Sequence, residues 1–399
     1  IERRVEDSVV SAMGERPMPL RRARGYAPEP ITIALPAAEP ILAVGGHIKS
    51  AICLLAGDEA VLSEHLGDLD NPAAYRQFLA TIDAFKTLFA CDPARIACDR
   101  HADYAATRHA HEMGVPVEPV QHHHAHIVSC MADNAITGEV LGVACDGVGY
   151  GTDGQVWGGE ILRCDEAEMT RVGHLRYVPH VGGDVVSKET WRPAAAWLWE
   201  AFADGGAMAR QVLSKVDANT LGATTQRFAH QSRLLYTSSL GRLFDAVADL
   251  LGVCEHNHHE AQAAMMLETV ARSADAANPL DYHLDEQDNG PLVLNPDGMI
   301  RQLVAGRREG QPVATLARAF HSTVAAMFAD AAVHLAAQAG LTRVVLSGGC
   351  FANALFTEEL SARLTRAGLE YFAHHRVPTT DGGLALGQAV VVAARQRKG

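Results

Sequence analysis

Val140-Leu141-Gly142-Val143-Ala144-Cys145 is an apolar run, the next nine residues, Asp146-Gly147-Val148-Gly149-Tyr150-Gly151-Thr152-Asp153-Gly154, carry four glycines, and Val156-Trp157-Gly158-Gly159-Glu160-Ile161-Leu162 is apolar again. Apolar runs of strand length separated by turn residues predict a β-hairpin. A third run at residues 171–177 extends it to a meander. The same order stands earlier in the chain, at residues 41–44, 51–55 and 60–65, where Gly45-Gly46-His47-Ile48-Lys49-Ser50 is the matching glycine hairpin.

Each meander is followed by the same alternation of helices and strands. In the first copy the periodicity predicts a helix over 71–90, a strand over 95–98, a helix over 102–113, a strand over 115–120 and a helix over about 122–133. In the second copy the corresponding segments are 316–338, 343–346, 352–367, 370–372 and 382–395. A mostly helical insertion, about residues 185–300 with its polar end and an Asn295-Pro296-Asp297-Gly298 turn, separates them from their meander. Two βββαβαβα units in one chain are the architecture of the class that holds actin, hexokinase and the sugar kinases. The expected fold class is therefore α/β, a duplicated actin-like (ASKHA) fold with halves at 39–137 and 138–399 around a nucleotide cleft. Residues 1–38, rich in Arg and Pro with little period, are expected to be a tail or linker outside both halves.

Composition narrows the function. The 399 residues, 48% hydrophobic and 20% charged, suit a globular protein of two or three compact units and exclude disorder, collagen and coiled coil. Thirty-four Lys and Arg against 47 Asp and Glu leave a net charge of −13. Such a surface repels phosphate backbones, so no nucleic-acid partner is expected. No apolar run reaches the roughly 18–20 residues of a membrane span, and no signal-peptide pattern opens the chain, so no membrane partner is expected either. Eight cysteines without a Cys-x-x-Cys pair predict reduced thiols and a cytoplasmic location.

Gln121-His122-His123-His124-Ala125-His126 opens the last helix of the first half. His122 and His126, four apart, fall on one helical face, the spacing for a shared metal, and His123 with His126 meets a similar condition. The equivalent junction of the second half is Val377-Pro378-Thr379-Thr380-Asp381-Gly382-Gly383. Pseudo-two-fold symmetry places Asp381 on the opposite wall of the cleft, where it is either a helix cap or a third ligand. Two histidines and a carboxylate with open positions suit iron(II) or zinc.

Gly147, Gly149, Gly151 and Thr152 between the strands of the second meander offer backbone N–H groups to phosphate, and Lys49 of the facing hairpin adds a cation. Val344-Val345-Leu346-Ser347-Gly348-Gly349-Cys350-Phe351-Ala352-Asn353 is a strand, a glycine turn and a helix start, a geometry that suits phosphate or ribose. Cys350 has no basic partner near it in sequence and is not expected to be a nucleophile. Asp99, His101, Asp103 and Tyr104, at a junction of strand and helix, read equally well as structural residues.

The histidine tract, the Asp146 to Gly154 loop with Trp157-Gly158-Gly159-Glu160, Ser238-Ser239-Leu240-Gly241-Arg242-Leu243-Phe244-Asp245-Ala246, the Ser347-Gly348-Gly349 turn and Asp381 to Gln388 together resemble the C-terminal carbamoyltransferase domain of the HypF family of NiFe-hydrogenase maturation factors, over about residues 40–399. Leu20-Arg21-Arg22-Ala23-Arg24-Gly25-Tyr26-Ala27-Pro28 resembles the end of the YrdC-like domain that precedes it in that family. The chain is expected to be an excised fragment or a naturally short form. The resemblance implies a catalytic set of His122, His126, Asp146 and Asp381, with a divalent iron or zinc on His122, His126 and Asp381 and with Asp146 beside the metal or phosphate. It implies ATP and carbamoyl-adenylate as nucleotide substrates, with magnesium as an accompanying ion. Lys49 and the Gly147 to Gly154 backbone are then expected on phosphate, and Gly241, Asp245, Ser347, Gly348, Gly349 and Asn353 around the nucleotide. Glu260 and Gln262 are expected to reach ribose or adenine. The implied reaction passes carbamoyl, activated from carbamoyl phosphate and ATP, to the C-terminal cysteine of HypE, towards the cyanide ligand of the hydrogenase iron. HypE and a YrdC-like domain, in cis or in trans, are the implied partners.

The chain departs from the family pattern in carrying Glu260-Ala261-Gln262-Ala263 for Glu-Gly-Gln-Ala, Glu189-Thr190-Trp191-Arg192 for Glu-Pro-Trp-Arg, and Pro378-Thr379-Thr380-Asp381 for Pro-Pro-Asn-Asp. None removes an implied ligand; Ala261 bears on nucleotide affinity. The rival readings are a TsaD-type or small-molecule O-carbamoyltransferase, which would share metal and nucleotide, and a non-catalytic ATP-binding module, which would bind nucleotide without metal.

Overall fold

A computed structural model describes residues 5–13, 16–230 and 234–398. The chain opens with β1 (Val9–Met13), β2 (Arg16–Arg21) and β3 (Ile31–Thr32). The first half follows as β4 (Ile41–Ala43), β5 (Cys53–Ala56), β6 (Glu59–Leu62), α1 (Pro72–Leu88), β7 (Arg95–Asp99), α2 (Ala105–Glu112), β8 (Val117–Val120) and α3 (His122–Asp133). The second half begins with β9 (Val140–Tyr150), β10 (Val156–Cys164) and β11 (Met169–Leu175). Its insertion holds β12 (Val178–His180), α4 (Trp191–Ala201), α5 (Gly205–Val212), α6 (Ala218–Ala229), β13 (Leu235–Thr237), α7 (Leu240–Leu250), α8 (Gln262–Ala271), β14 (His283–Asp285), β15 (Leu292–Asn295) and α9 (Asp297–Arg308). It closes with α10 (Val313–Ala339), β16 (Arg343–Ser347), α11 (Ala354–Arg366), β17 (Glu370–Phe372) and α12 (Leu384–Lys398).

Strand pairing carries the duplication. The first sheet runs β6-β5-β4-β7-β8 and the second β11-β10-β9-β16-β17, the same order by position in each unit. In both, the first three strands are antiparallel, and the fourth and fifth are added in parallel. The central strands are buried on both faces, which is why they read as continuous apolar runs instead of alternating ones. Ile41 and Ala43 of β4 face one core, Leu42 and Val44 another. Val140 and Ala144 of β9 face the core shared with β4, while Leu141 and Val143 face the helices of the insertion and α10.

Five layers result, with α1 and α2 outside the first sheet, α3 and α12 between the sheets, and α10, α11 and the insertion outside the second sheet. The inner helices are exchanged: α3 lies on β9 and β16 of the second sheet, and α12 on β4 and β7 of the first. They cross closely because Gly387 has no side chain, since a Cβ there would stand 1.8 Å from the Ala125 carbonyl oxygen.

The structure corrects the sequence reading at several places. Residues 1–38 are more than a tail: β1 and β2 pair antiparallel, β3 pairs with β6 at the edge of the first sheet, and Ile31 and Ile33 are in its core. Arg22 is buried and donates to the carbonyls of Leu62, Tyr26 and Glu29, tying this segment to the first half. Residues 147–150 are strand, because β9 runs on to Tyr150 and pairs with β10, so the turn begins only at Gly151. Asn295 to Gly298 is the junction of β15 with α9, a helix the turn signal concealed.

Candidate active site

Four elements converge at one end of the inner layer. Gln121 accepts a hydrogen bond from the His124 N–H (2.8 Å), capping α3 immediately after β8 and turning its first face into the cleft. His122 and His126 lie on that face, with ring centroids 4.9 Å apart. Their neighbours point elsewhere: the His123 ring packs near Trp157, and His124 Nε2 bonds the Asp165 carbonyl oxygen at 2.8 Å. The His122 and His126 pair is thus the one that faces the cleft.

Asp146 on β9 and Asp381, in the 3-10 turn leading into α12, complete a buried group whose ligand atoms all lie within 4.8 Å of one another. Asp146 Oδ2 stands 3.2 Å from both His122 Nε2 and His126 Nε2, and Asp381 Oδ1 is 3.7 and 3.5 Å from them. His122 Nδ1 is hydrogen-bonded to Asp99 Oδ2 at 2.7 Å, which fixes the ring and leaves Nε2 towards the cluster. Asp146 Oδ1 accepts the Gly147 and Gly349 N–H groups (2.7 and 3.2 Å), so its other oxygen is turned to the histidines.

Burial opposes charge on each of these groups, but the carboxylates outweigh it at His122 and His126, whose pKa values are raised, and the two histidines hold Asp146 well below the usual carboxylate range. The cluster therefore draws positive charge. Two imidazole nitrogens and two carboxylate oxygens fit a borderline divalent cation. His126 Nε2, fully buried yet without a hydrogen-bond partner, is the atom such a cation would satisfy.

A cavity of about 260 Å³ opens beside the cluster. It is lined by Lys49, Asp146, Gly147, Gly241, Asp245, Glu260, Gly349 and Asn353 among the residues singled out in the sequence, and Leu20, Phe244, Ala264 and Met265 supply apolar wall. Lys49 forms an ion pair with Glu260 across the cavity, joining the first half to the insertion. Burial opposes its charge, but Glu260, Asp381 and Asp146 raise its pKa. Asp245 is held by Arg242 (2.8 Å) and by the Asn257 side-chain amide (3.0 Å).

Other expected nucleotide residues stand away from this cavity. Gly149 lies against α3, where a Cβ would meet the His123 ring at 2.4 Å, Gly151 lies against Trp157, and Thr152 is exposed at the hairpin turn. Gln262 accepts from the His258 N–H (2.8 Å), and Ser347 is buried with its hydroxyl on His374. Gly348, at φ +112°, packs its backbone on Cys145. Cys350 borders the cavity, but burial and Asp146 push its thiol well up, against a nucleophilic role.

Comparison with known proteins identifies the family. Residues 36–133 match the HypF Kae1-like domain, and residues 142–388 match the carbamoyltransferase Kae1-like domain, second subdomain. The chain belongs to the HypF family. Carbamoyltransferase HypF2 of Cupriavidus necator is 36% identical over 98% of this chain and 51% of its own length, and a HypF homolog of the same organism is 38% identical over 90% of this chain and 92% of its own. A crystal structure of full-length HypF in the phosphate- and nucleotide-bound form superposes with a TM-score of 0.93 at 37% identity, covering 98% of this chain and 51% of that one. The chain spans about half the length of most of the curated HypF relatives it matches. The duplicated actin-like fold is that of the HypF Kae1-like domains.

Partners stand behind two of these site residues: Asp99, which the sequence offers equally as a site or a structural residue, behind His122, and Arg242, inside the expected segment Gly241 to Asp245, together with Asn257, which the sequence does not single out, behind Asp245. Asp99 was in view as one of a run of polar residues, and only its position at the end of β7, level with the start of α3, distinguishes it. Ala261 sits in the left-handed region (φ +57°) at the start of α8, the conformation for which the family's glycine is suited.

Proposed function

We propose that this chain performs the carbamoyl-transfer step of a HypF-type carbamoyltransferase. The observation that carries the reading is the buried group of His122, His126, Asp146 and Asp381 at the wall of a cavity that also presents Lys49. The substrate is carbamoyl-adenylate, formed from carbamoyl phosphate and Mg-ATP by a YrdC-like domain in cis or in trans, and the acceptor is the C-terminal cysteine of HypE. The thiolate sulfur attacks the carbamoyl carbon, a C–S bond forms, the C–O bond to the adenylate phosphate breaks, and AMP leaves with that electron pair. The thiocarbamate then serves as precursor of the cyanide ligand of the hydrogenase iron, in the cytoplasm.

His122, His126 and Asp381, with Asp146 beside them, would hold an iron or zinc ion, which when bound supplies Lewis-acid stabilisation of the charge that develops on oxygen. Asp99 keeps His122 in the tautomer whose Nε2 is free. Lys49 exchanges Glu260 for a phosphate oxygen, and Gly147, Gly241 and Gly349 let backbone approach the nucleotide closely. The apolar side of the cavity, Leu20 and Met265, suits a base.

Metal analysis and ADP titration of the parent and of His126→Ala, followed by mass spectrometry of HypE incubated with supplied carbamoyl-adenylate, test the reading. The expected result is one metal ion per chain, lost in the variant, and a carbamoyl adduct on HypE only with the parent. Nucleotide binding with no metal and no adduct would make the chain a nucleotide-binding module and overturn the assignment.

A further inference from the structure

A second buried polar group lies at the far end of α3 and takes no part in the chemistry above. Ser347 Oγ and His374 Nε2 are 2.8 Å apart, and His374 Nδ1 stands 3.5 Å from Asp133 Oδ2. Hydroxyl, imidazole and carboxylate follow one another as in a hydrolase triad. Ser347 is fully buried, however, so no substrate reaches its Oγ.

The carboxylate has a different use. Asp133 accepts from the backbone N–H groups of His375 (2.8 Å), Arg376 (3.1 Å) and Val377 (3.3 Å) and from Arg376 Nε (3.1 Å), and its own carbonyl accepts from Arg376 Nη2 (2.7 Å). An aspartate in the last turn of a helix opposes the helix dipole, so helix stability does not account for it. What it holds is the segment that leads, four residues on, to Asp381. That segment is tied in turn to the turn beside Asp146: Gly348 N–H donates to the Thr379 carbonyl and Thr379 Oγ1 to the Gly348 carbonyl, both at 3.1 Å.

We infer that Asp133 and His374 are positioning residues for Asp381, clamping the irregular segment that delivers it to the same helix that carries His122 and His126. The helix acts as a rigid gauge roughly 17 Å long between clamp and cluster. Ligands of a metal site must be held to within about 0.5 Å, and without the clamp the carboxylate on the far wall would lose its fixed distance from the imidazoles. The inference rests on the metal reading proposed above.

The test uses the full chain with zinc(II) in competition with a chromophoric chelator, and cobalt(II) as a spectroscopic probe of ligand geometry. Asp133→Asn and His374→Gln are expected to weaken zinc binding about tenfold and to shift the cobalt d–d bands, at a temperature where the metal-free proteins keep the parent's far-ultraviolet circular dichroism. Should Asp133→Asn not fold, His374→Gln and Ser347→Ala give the same readout. Zinc affinity within twofold of the parent and an unchanged cobalt spectrum in the folded variants would overturn the positioning role. His126→Ala separates the two readings. If it too binds zinc as the parent does, the metal reading falls, whereas if it loses zinc while the clamp variants keep it, only the clamp falls.

Discussion

At the scale of single residues, Ala261 is held at φ +57°, where a Cβ clashes with the adjacent peptide and glycine does not. Ala261→Gly is expected to stabilise the fold by about 1 kcal/mol, the left-handed strain less the extra freedom glycine has when unfolded, measured by urea unfolding. Asp249 illustrates burial of a carboxyl, since desolvation pushes its pKa up to about 7 against the help of Thr190 Oγ1. The folded state keeps a proton that the unfolded chain releases near pH 4, so stability falls as pH rises from about 4 to about 7 and is flat beyond. Asp249→Asn, which keeps an acceptor for Thr190, should therefore raise the unfolding temperature at pH 8 and change it little at pH 4.5. The His122 and His126 pairing was legible because i and i+4 share a helical face, and Asp381 because symmetry carries a position across the cleft. Asp99 stays open in the sequence between a site and a structural role, since its partner stands 23 residues away on another element.

At the scale of elements, the repeat was readable because strands buried on both sides leave continuous apolar runs, and those runs recur in order. The pairing of β1 with β2 leaves no such trace, and α9 begins in residues that equally well make a turn. The glycines of residues 147–151 announced a phosphate loop, yet most of them serve the close fit of a hairpin against α3 and Trp157. Glycine content reports that backbone comes near something; it does not say what. Gly387 is the sharpest instance. Gly387→Ala drives a methyl into the Ala125 carbonyl and the Ser129 amide, so the two inner helices must separate. A loss of about 3 kcal/mol in urea unfolding is expected, with weakened metal retention, because α3 carries His122 and His126 and the turn leading into α12 carries Asp381.

At the scale of the molecule, the cluster spans both halves, with His122 and His126 from the first and Asp146 and Asp381 from the second. A cation held there binds the folded chain and not the unfolded one. Free zinc at a thousandfold excess over its dissociation constant should add about 4 kcal/mol of stability, and calorimetry with and without chelator should show this for the parent and not for His126→Ala. The exchange of α3 and α12 between the sheets reaches further than stability. Each half, taken as a unit of sequence, lacks the helix that covers its own sheet and carries the one that covers its counterpart. A chain of one such repeat, without the insertion, could bury that sheet face only by trading its last helix with a second copy of itself. Its simplest folded form would be an interlocked pair of identical chains, the arrangement that the two halves adopt here within one covalent chain.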